Sequence, residues 1–76
     1  MNKFYYKIDV ISRKNGYSIM VSSTDKIEDD REVIDRALNK GLFHDETDAD
    51  YAKVDDLLTQ YDIDHFTQSG CCYSID

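Results

Sequence analysis

The sequence predicts a small α+β domain in which an N-terminal antiparallel β-hairpin is covered by helical segments. The first residues alternate between apolar and polar, which is the period of a half-buried strand. Asn15-Gly16 is the dipeptide most typical of a tight hairpin turn. Residues 30–40 carry apolar side chains at helical spacing. Because 76 residues lie near the lower limit for a self-sufficient core, we expect one domain over residues 1–76.

The hairpin is predicted from two strands, at about residues 3–11 and 17–22. A two-residue turn at Asn15-Gly16 would set Val10 opposite Val21, so that the apolar faces of both strands coincide. A hairpin alone is marginal in water, so other segments must cover it. We expect its core face to carry Phe4, Tyr6, Ile8, Val10, Ile19 and Val21.

A helix at about residues 30–40 is the predicted cover for this face. Asp29 suits the N-cap, and Glu32 stands at the spacing of a capping box. Gly41 is placed to end the helix in the left-handed conformation that glycine tolerates. The apolar stripe that should contact the hairpin consists of Val33, Ile34, Ala37 and Leu38.

The segment at about residues 48–61 permits two interpretations. As a helix capped by Thr47, it would place its apolar residues on one face, namely Tyr51, Val54, Leu58 and Tyr61. As a third strand over residues 51–55, it would be followed by a short final helix that Thr59 and Asp62 cap. The apolar spacing favours the helix. A short C-terminal strand is predicted around residues 72–75.

The charge is unevenly distributed and indicates the class of partner. Residues 1–22 hold four basic residues and one acidic residue, or +3, whereas residues 23–76 hold five and fifteen, or −10, which gives the total of −7. Such a surface repels phosphates, so direct nucleic-acid binding is not expected. A basic protein surface is the expected partner.

The sequence also predicts a cytoplasmic location. No apolar run approaches the length that a membrane helix needs, and the N-terminus lacks the apolar block of a signal peptide. The two cysteines are adjacent, at Cys71 and Cys72, which is not the spacing of a disulfide framework. Free thiols fit a reducing compartment.

Motifs for metals, cofactors or catalysis are not recognisable in the sequence. Neither Asp45 nor Asp48 begins an EF-hand, because the required ligands and glycine do not follow. The histidines His44 and His65 and the cysteine pair lack zinc-site spacing. The glycines form no phosphate-binding loop. We therefore expect no cofactor, no metal and no enzymatic activity.

Fourteen of the sixteen acidic residues lie between Asp25 and Asp64, on the segments that should cover the hairpin. The clusters IEDDREVID and HDETDADYAKVDD give the chain a charge character that resembles the phage and mobile-element inhibitors that mimic DNA, such as anti-CRISPR and antirestriction proteins. The resemblance implies an inhibitor whose acidic face occupies a basic nucleic-acid-binding groove on a host or defence protein. The predicted contacts are Asp29, Asp30, Asp35, Asp45, Glu46, Asp48, Asp50, Asp55 and Asp56, with Tyr51 as an aromatic anchor.

A second function is predicted from the opposite face of the hairpin. Tyr5, Ile11 and Met20 make that face more apolar than a solvated sheet usually is. It could pair with a second copy of the chain, or it could pack under the C-terminal segment. In the first case the protein would be a small self-associating accessory module.

Overall fold

The fold is a four-stranded mixed sheet with helical segments on both faces. The computed structural model describes residues 3–11, 16–55 and 58–76. The strands are β1 (Phe4–Val10), β2 (Tyr17–Ser23), β3 (Ala52–Asp55) and β4 (Cys72–Ser74), in the order β3-β1-β2-β4. The helices are α1 (Asp30–Asn39), a 3-10 helix (Glu46–Tyr51) and α2 (Gln60–Gln68). The predicted α+β class with an N-terminal hairpin is confirmed. Within the described ranges, no helix has the length and apolarity to cross a membrane.

The hairpin register differs from the predicted one by four residues. The inner-face pairs are Tyr6 with Val21, Ile8 with Ile19 and Val10 with Tyr17. The prediction that Val10 faces Val21 is therefore wrong. The observed register joins apolar side chains in all three pairs, whereas the predicted one would set Ile8 opposite Ser23. A register shift by an even number of residues keeps the same side chains on the inner face, so the predicted faces of the two strands remain correct. Asn15 of the predicted turn lies outside the described residues.

Helix α1 begins and ends where the sequence predicts. Asp29 is its N-cap, and its side chain accepts a backbone hydrogen bond in the first turn. At the other end Gly41 adopts a φ of 70°. The Gly41 N–H donates to the Leu38 carbonyl at 3.0 Å, and the Leu42 N–H donates to the Ala37 carbonyl at 3.1 Å. This Schellman arrangement needs a left-handed residue, which explains the glycine.

The helical interpretation of residues 48–61 is wrong, and the strand alternative holds. Val54 of β3 pairs with Ile8 and is 5% exposed, whereas Tyr61 is 76% exposed. The Thr59 and Asp62 side chains bond reciprocally to each other's backbone N–H groups, which starts α2. The physical reason is that β2 covers only one edge of β1. The second edge is filled by β3, which buries Val54 in the core.

The core lies between the inner face of the sheet and α1. It is formed by Ile8, Val10, Ile19, Val21, Ile27, Val33, Ile34, Ala37, Phe43, Ala49, Val54 and Ile75, with Tyr6 and Leu38 half-buried against it. Phe4 is 38% exposed, so its predicted core position is wrong. It is the first residue of β1 and lies outside the Lys7–Val10 segment that β3 pairs with.

The outer face of the sheet is covered in part by the C-terminal segment. Met20 is fully buried, although it lies on this face opposite Lys7. Lys7 is close enough to Asp62 of α2 to help hold the pKa of that carboxyl below its usual range, after the larger effect of the hydrogen bonds from Thr59. Because β2, β3 and β4 run parallel to one another, right-handed connections place α1 and α2 on opposite faces of the sheet, and α2 on the outer one.

Truncation of Ile8 to alanine tests the core. Ile8 is fully buried in the central strand, so Ile8→Ala should lower the free energy of unfolding by about 2–4 kcal/mol. Ile11→Ala is the matched control, because Ile11 is 70% exposed and should change stability by less than about 0.5 kcal/mol. Urea unfolding followed by circular dichroism measures both values. Equal losses in the two variants would contradict the core described above.

Candidate functional site

The densest group of predicted contact residues forms one structural unit, residues 45–51, which we name the acidic turn. It consists of the 3-10 helix and its N-cap, Asp45. The Asp45 carboxylate accepts hydrogen bonds from the Thr47 N–H at 3.0 Å and from the Thr47 hydroxyl at 2.9 Å. These two donors, the backbone one first, hold the pKa of Asp45 below its usual range. The cap fixes where the turn starts.

A tyrosine on β2 attaches the acidic turn to the sheet. The Tyr17 hydroxyl donates to Asp48 Oδ2 at 2.6 Å and accepts from the His44 N–H at 3.1 Å. The Tyr17 ring stacks on the His44 ring, with centroids 4.1 Å apart and planes 13° apart. Burial and, to a lesser degree, the Asp48 hydrogen bond raise the pKa of Tyr17. The hydroxyl therefore remains a proton donor to Asp48 throughout the neutral range.

Apolar contacts hold the acidic turn against the core. Ala49 inside the turn and Phe43 just before it are both buried in the inner core. At the end of the turn, the Ile11 N–H donates to the Tyr51 carbonyl at 3.2 Å, which ties this end to β1. With an anchor at the start, the middle and the end, the backbone of the turn is held in place.

The charges of the acidic turn differ in their surroundings. Asp45 and Asp48 accept the hydrogen bonds described above, from neutral donors that leave their charge uncompensated. Glu46 and Asp50 are exposed, and no group in the described ranges forms a hydrogen bond or ion pair with either carboxylate. The turn therefore presents four negative charges without a cationic partner in the described part of the chain.

The predicted contact residues of α1 are more nearly neutralised. Asp35 forms an ion pair with Arg31 at 3.3 Å, and Asp29 is used as the N-cap. Glu32 is paired with Arg36 at 3.3 Å instead of completing the predicted capping box. Asp30 has no hydrogen bond or ion pair among the described residues. Helix α1 thus leaves fewer carboxylates without a cationic partner than its number of acidic residues suggests.

Asp30 lies instead at a cleft beside the N-terminus of α1. The cleft has a volume of about 410 Å³ and lies at the edge of the sheet, next to Tyr5 and Tyr6. Asp55 also lines it, from the end of β3. The Asp55 carboxylate is 4.0 Å from Lys7 on the outer face, so the structure separates it from the acidic turn. Asp56 lies outside the described residues.

The structure thus brings the predicted contacts together in two groups. One is the acidic turn with Tyr51, which is 51% exposed. The other is the N-terminal part of α1 with the neighbouring cleft. Helix α1 joins them, because its N-terminus borders the cleft and its C-terminus leads through Phe43 to the acidic turn. Helix α1, with ten residues, is itself about 15 Å long.

Sequence reasoning missed the residues that position the site. Tyr17 and His44 stand 27 residues apart and Tyr17 and Asp48 stand 31 residues apart, so no local motif joins them. The alternation of β2 predicts Tyr17 as an inner-face residue, and its packing against the core confirms that. The alternation of apolar and polar residues does not predict the partners of the Tyr17 hydroxyl. Glu28, which lines the cleft, had no distinguishing signal in the sequence.

The structure also constrains the other predicted interactions. Of the three residues proposed for self-association, only Ile11 is well exposed, while Met20 is buried and Tyr5 lines the cleft. Met20 is therefore removed from any partner surface. In the described part of the chain, no three histidine, cysteine or acidic side chains are placed to hold a metal ion. Cys71 and Cys72 are free thiols.

Comparison of the chain with protein-family models, with curated proteins and with solved structures finds no match. The function must therefore be inferred from the geometry and charge of the site.

Replacement of Asp45 by asparagine tests the cap of the acidic turn through its pH dependence. Asparagine also caps helices, so Asp45→Asn should keep the fold but lose the additional stability that the charged carboxylate supplies. Because folding lowers the pKa of Asp45, that stability is present above pH 4 and is lost as the pH falls through the folded value. The wild type should therefore be more stable than Asp45→Asn at pH 7, and the difference should shrink as the pH falls below about 4.

The control for this measurement is Asp50→Asn, at the other end of the acidic turn. Asp50 accepts no hydrogen bond from the described residues, so its replacement should leave the neutral-pH stability unchanged or slightly higher. The stabilities of the wild type and the two variants are measured by thermal unfolding between pH 3 and pH 7. A constant difference between wild type and Asp45→Asn over that range would contradict the assigned role of Asp45.

Proposed function

We propose that this protein is a non-enzymatic inhibitor whose acidic face occupies the basic nucleic-acid-binding surface of a host or defence protein. The face consists of the acidic turn, extended along α1. The proposed targets are proteins that bind DNA or guide RNA, like the targets of anti-CRISPR and antirestriction proteins. The cytoplasm is the proposed compartment, and the free thiols support it.

The observation that carries the proposal is the density of charge on the acidic turn, whose backbone is held in place. Four carboxylates lie between Asp45 and Asp50, and a 3-10 helix rises about 2.0 Å per residue, so the charges span about 10 Å. A 3-10 helix has three residues per turn, so the four side chains point around its axis and concentrate four negative charges on this short segment. A groove lined with lysine and arginine, which surrounds the segment on more than one side, would meet several of these charges at once.

The rigidity of the turn adds to this support. A flexible acidic segment would lose conformational entropy on binding, and that loss offsets much of its electrostatic attraction. Here the Tyr17 hydroxyl, the Asp45 cap and the buried Ala49 have already ordered the turn. The carboxylates can therefore bind a basic groove without a large entropic cost.

An apolar contact beside the charges supplies the expected anchor. Tyr51 is 51% exposed and Ile11 is 70% exposed, and a backbone hydrogen bond joins these two residues. Protein interfaces commonly place an aromatic or apolar contact at the centre of a polar rim. Tyr51 and Ile11 would fill this position next to Glu46, Asp48 and Asp50.

Binding and competition measurements test the proposal. The immobilised protein is exposed to a prokaryotic lysate at about 50 mM and about 500 mM salt, and the proteins retained only at low salt are identified and purified. The proposal predicts that a retained protein binds nucleic acid through a basic groove. Its affinity should fall steeply with salt, and duplex DNA or guide RNA should displace it from the inhibitor.

Paired charge variants show whether the acidic turn makes the contact. Glu46→Gln with Asp50→Asn should weaken binding by about tenfold, since exposed ion pairs contribute up to ~1 kcal/mol each. Asp25→Asn with Asp64→Asn is the matched control, because it removes two carboxylates beyond the opposite end of β2 and on α2. Equal weakening by both pairs, or a partner that nucleic acid does not displace, would contradict the proposed function.

A further inference from the structure

The cleft beside α1 has the size and walls of a binding site for a long side chain. Its volume of about 410 Å³ lies within the range of small-ligand sites. Tyr5 comes from the outer face of the sheet and Tyr6 from the inner face, so the cleft wraps around the edge of β1. The remaining apolar lining is supplied by Ile27, Val54 and Leu58.

The charged groups of the cleft favour a cation. Glu28, Asp30 and Asp55 line it together with one basic residue, Lys26, which gives 1 − 3 = −2. Asp55 is already near Lys7, at 4.0 Å. Glu28 and Asp30 are exposed, and no described residue forms a hydrogen bond or ion pair with either of them. Two carboxylates thus remain available as acceptors beside two aromatic rings.

The walls of the cleft are held in place before any ligand binds. The Tyr6 hydroxyl accepts a hydrogen bond from the Ile27 N–H at 2.7 Å, which connects the sheet to the segment before α1. Ile27 and Val54 are both nearly fully buried. A cleft that is already formed binds without the cost of ordering its own residues.

We infer that this cleft binds an arginine side chain of the partner protein. A guanidinium is planar, so it can stack on a tyrosine ring while its N–H groups donate to Glu28 and Asp30. The ammonium of lysine offers no such plane. The positive end of the α1 dipole, about half a charge, opposes a cation but is smaller than the summed charge of the cleft carboxylates.

This inference rests on the proposed function, because a basic groove supplies the arginine. The cleft lies at the N-terminus of α1, and the chain leaves the other end of this helix, about 15 Å along its axis, toward the acidic turn. A basic surface of that length can place one arginine in the cleft while its other cations face the acidic turn. The cleft would then fix the orientation of the inhibitor, which charge alone does not.

The test uses a defined probe and does not need the partner. The ¹⁵N-labelled protein is titrated with N-acetyl-arginine N-methylamide, and the matched probe is the citrulline derivative, which has the same shape without the charge. The arginine probe should shift the amide resonances of Tyr6, Ile27 and Asp30, with half-saturation at millimolar concentration. The citrulline probe should bind about tenfold more weakly, because it lacks the cation–π contact and the ion pairs.

Charge-matched variants localise the binding. Glu28→Gln with Asp30→Asn should weaken the arginine probe by about fivefold or more, whereas Glu46→Gln with Asp50→Asn, which removes the same charge, should change it by less than about twofold. Replacement of Asp30 also alters the first turn of α1, so a variant outside this helix is needed. Lys26→Gln removes a positive charge from the cleft lining and should strengthen binding of the arginine probe. Equal binding of the two probes, or equal weakening by the two double variants, overturns the inference.

The same variants separate this inference from the proposed function. If Glu28→Gln with Asp30→Asn leaves partner binding unchanged while the acidic-turn pair weakens it, the cleft inference is wrong and the proposed function stands. If the arginine probe binds the cleft but no captured protein competes with nucleic acid, the proposed function is wrong. In that case the cleft is an arginine site, but the basic groove proposed as the source of the arginine is ruled out.

Discussion

The pairing of β1 on both of its edges is the constraint on which the rest of the structure depends. Ile8, at the centre of β1, is fully buried and stands between Ile19 on β2 and Val54 on β3. Because β3 fills the second edge, the chain before it must cross the end of β1, and the acidic turn lies there. The end of β3 then leaves the cleft beside Tyr6. Both parts of the site follow from one strand pairing.

The polar contacts then decide what the acidic residues do. Several carboxylates stabilise local structure: Asp29 caps α1, Asp62 completes the capping box of α2, and Asp76 accepts hydrogen bonds from the Thr24 N–H and the Ser23 hydroxyl, which lower its pKa. Others are neutralised by arginines on α1. What remains is concentrated in the acidic turn and the cleft. The count of sixteen acidic residues therefore overstates how many carboxylates are available to a basic partner.

The sequence predicted those features that depend on local periodicity and capping. The hairpin faces, α1 and the short C-terminal strand are examples, since each rests on neighbouring residues. The hairpin register was missed because the turn signal at Asn15-Gly16 competed with the pairing of Ile8 and Ile19 farther along the strands. The secondary structure of residues 51–55 was ambiguous because it depends on whether an edge of β1 is open for pairing. A local sequence pattern does not contain that information. The Tyr17 contacts and the cleft join distant segments and were not predictable from spacing.

Amide hydrogen exchange in the acidic turn tests most directly whether the backbone that carries its carboxylates is rigid. The Asp48 N–H donates to the Asp45 carbonyl at 3.0 Å, and Tyr17 holds the Asp48 side chain. We predict that the Asp48 amide exchanges at least about tenfold more slowly than in an unstructured peptide. Tyr17→Phe should remove most of that protection while the Ile8 amide keeps its own. Exchange of Asp48 at the unstructured rate in the wild type would contradict the rigid acidic turn.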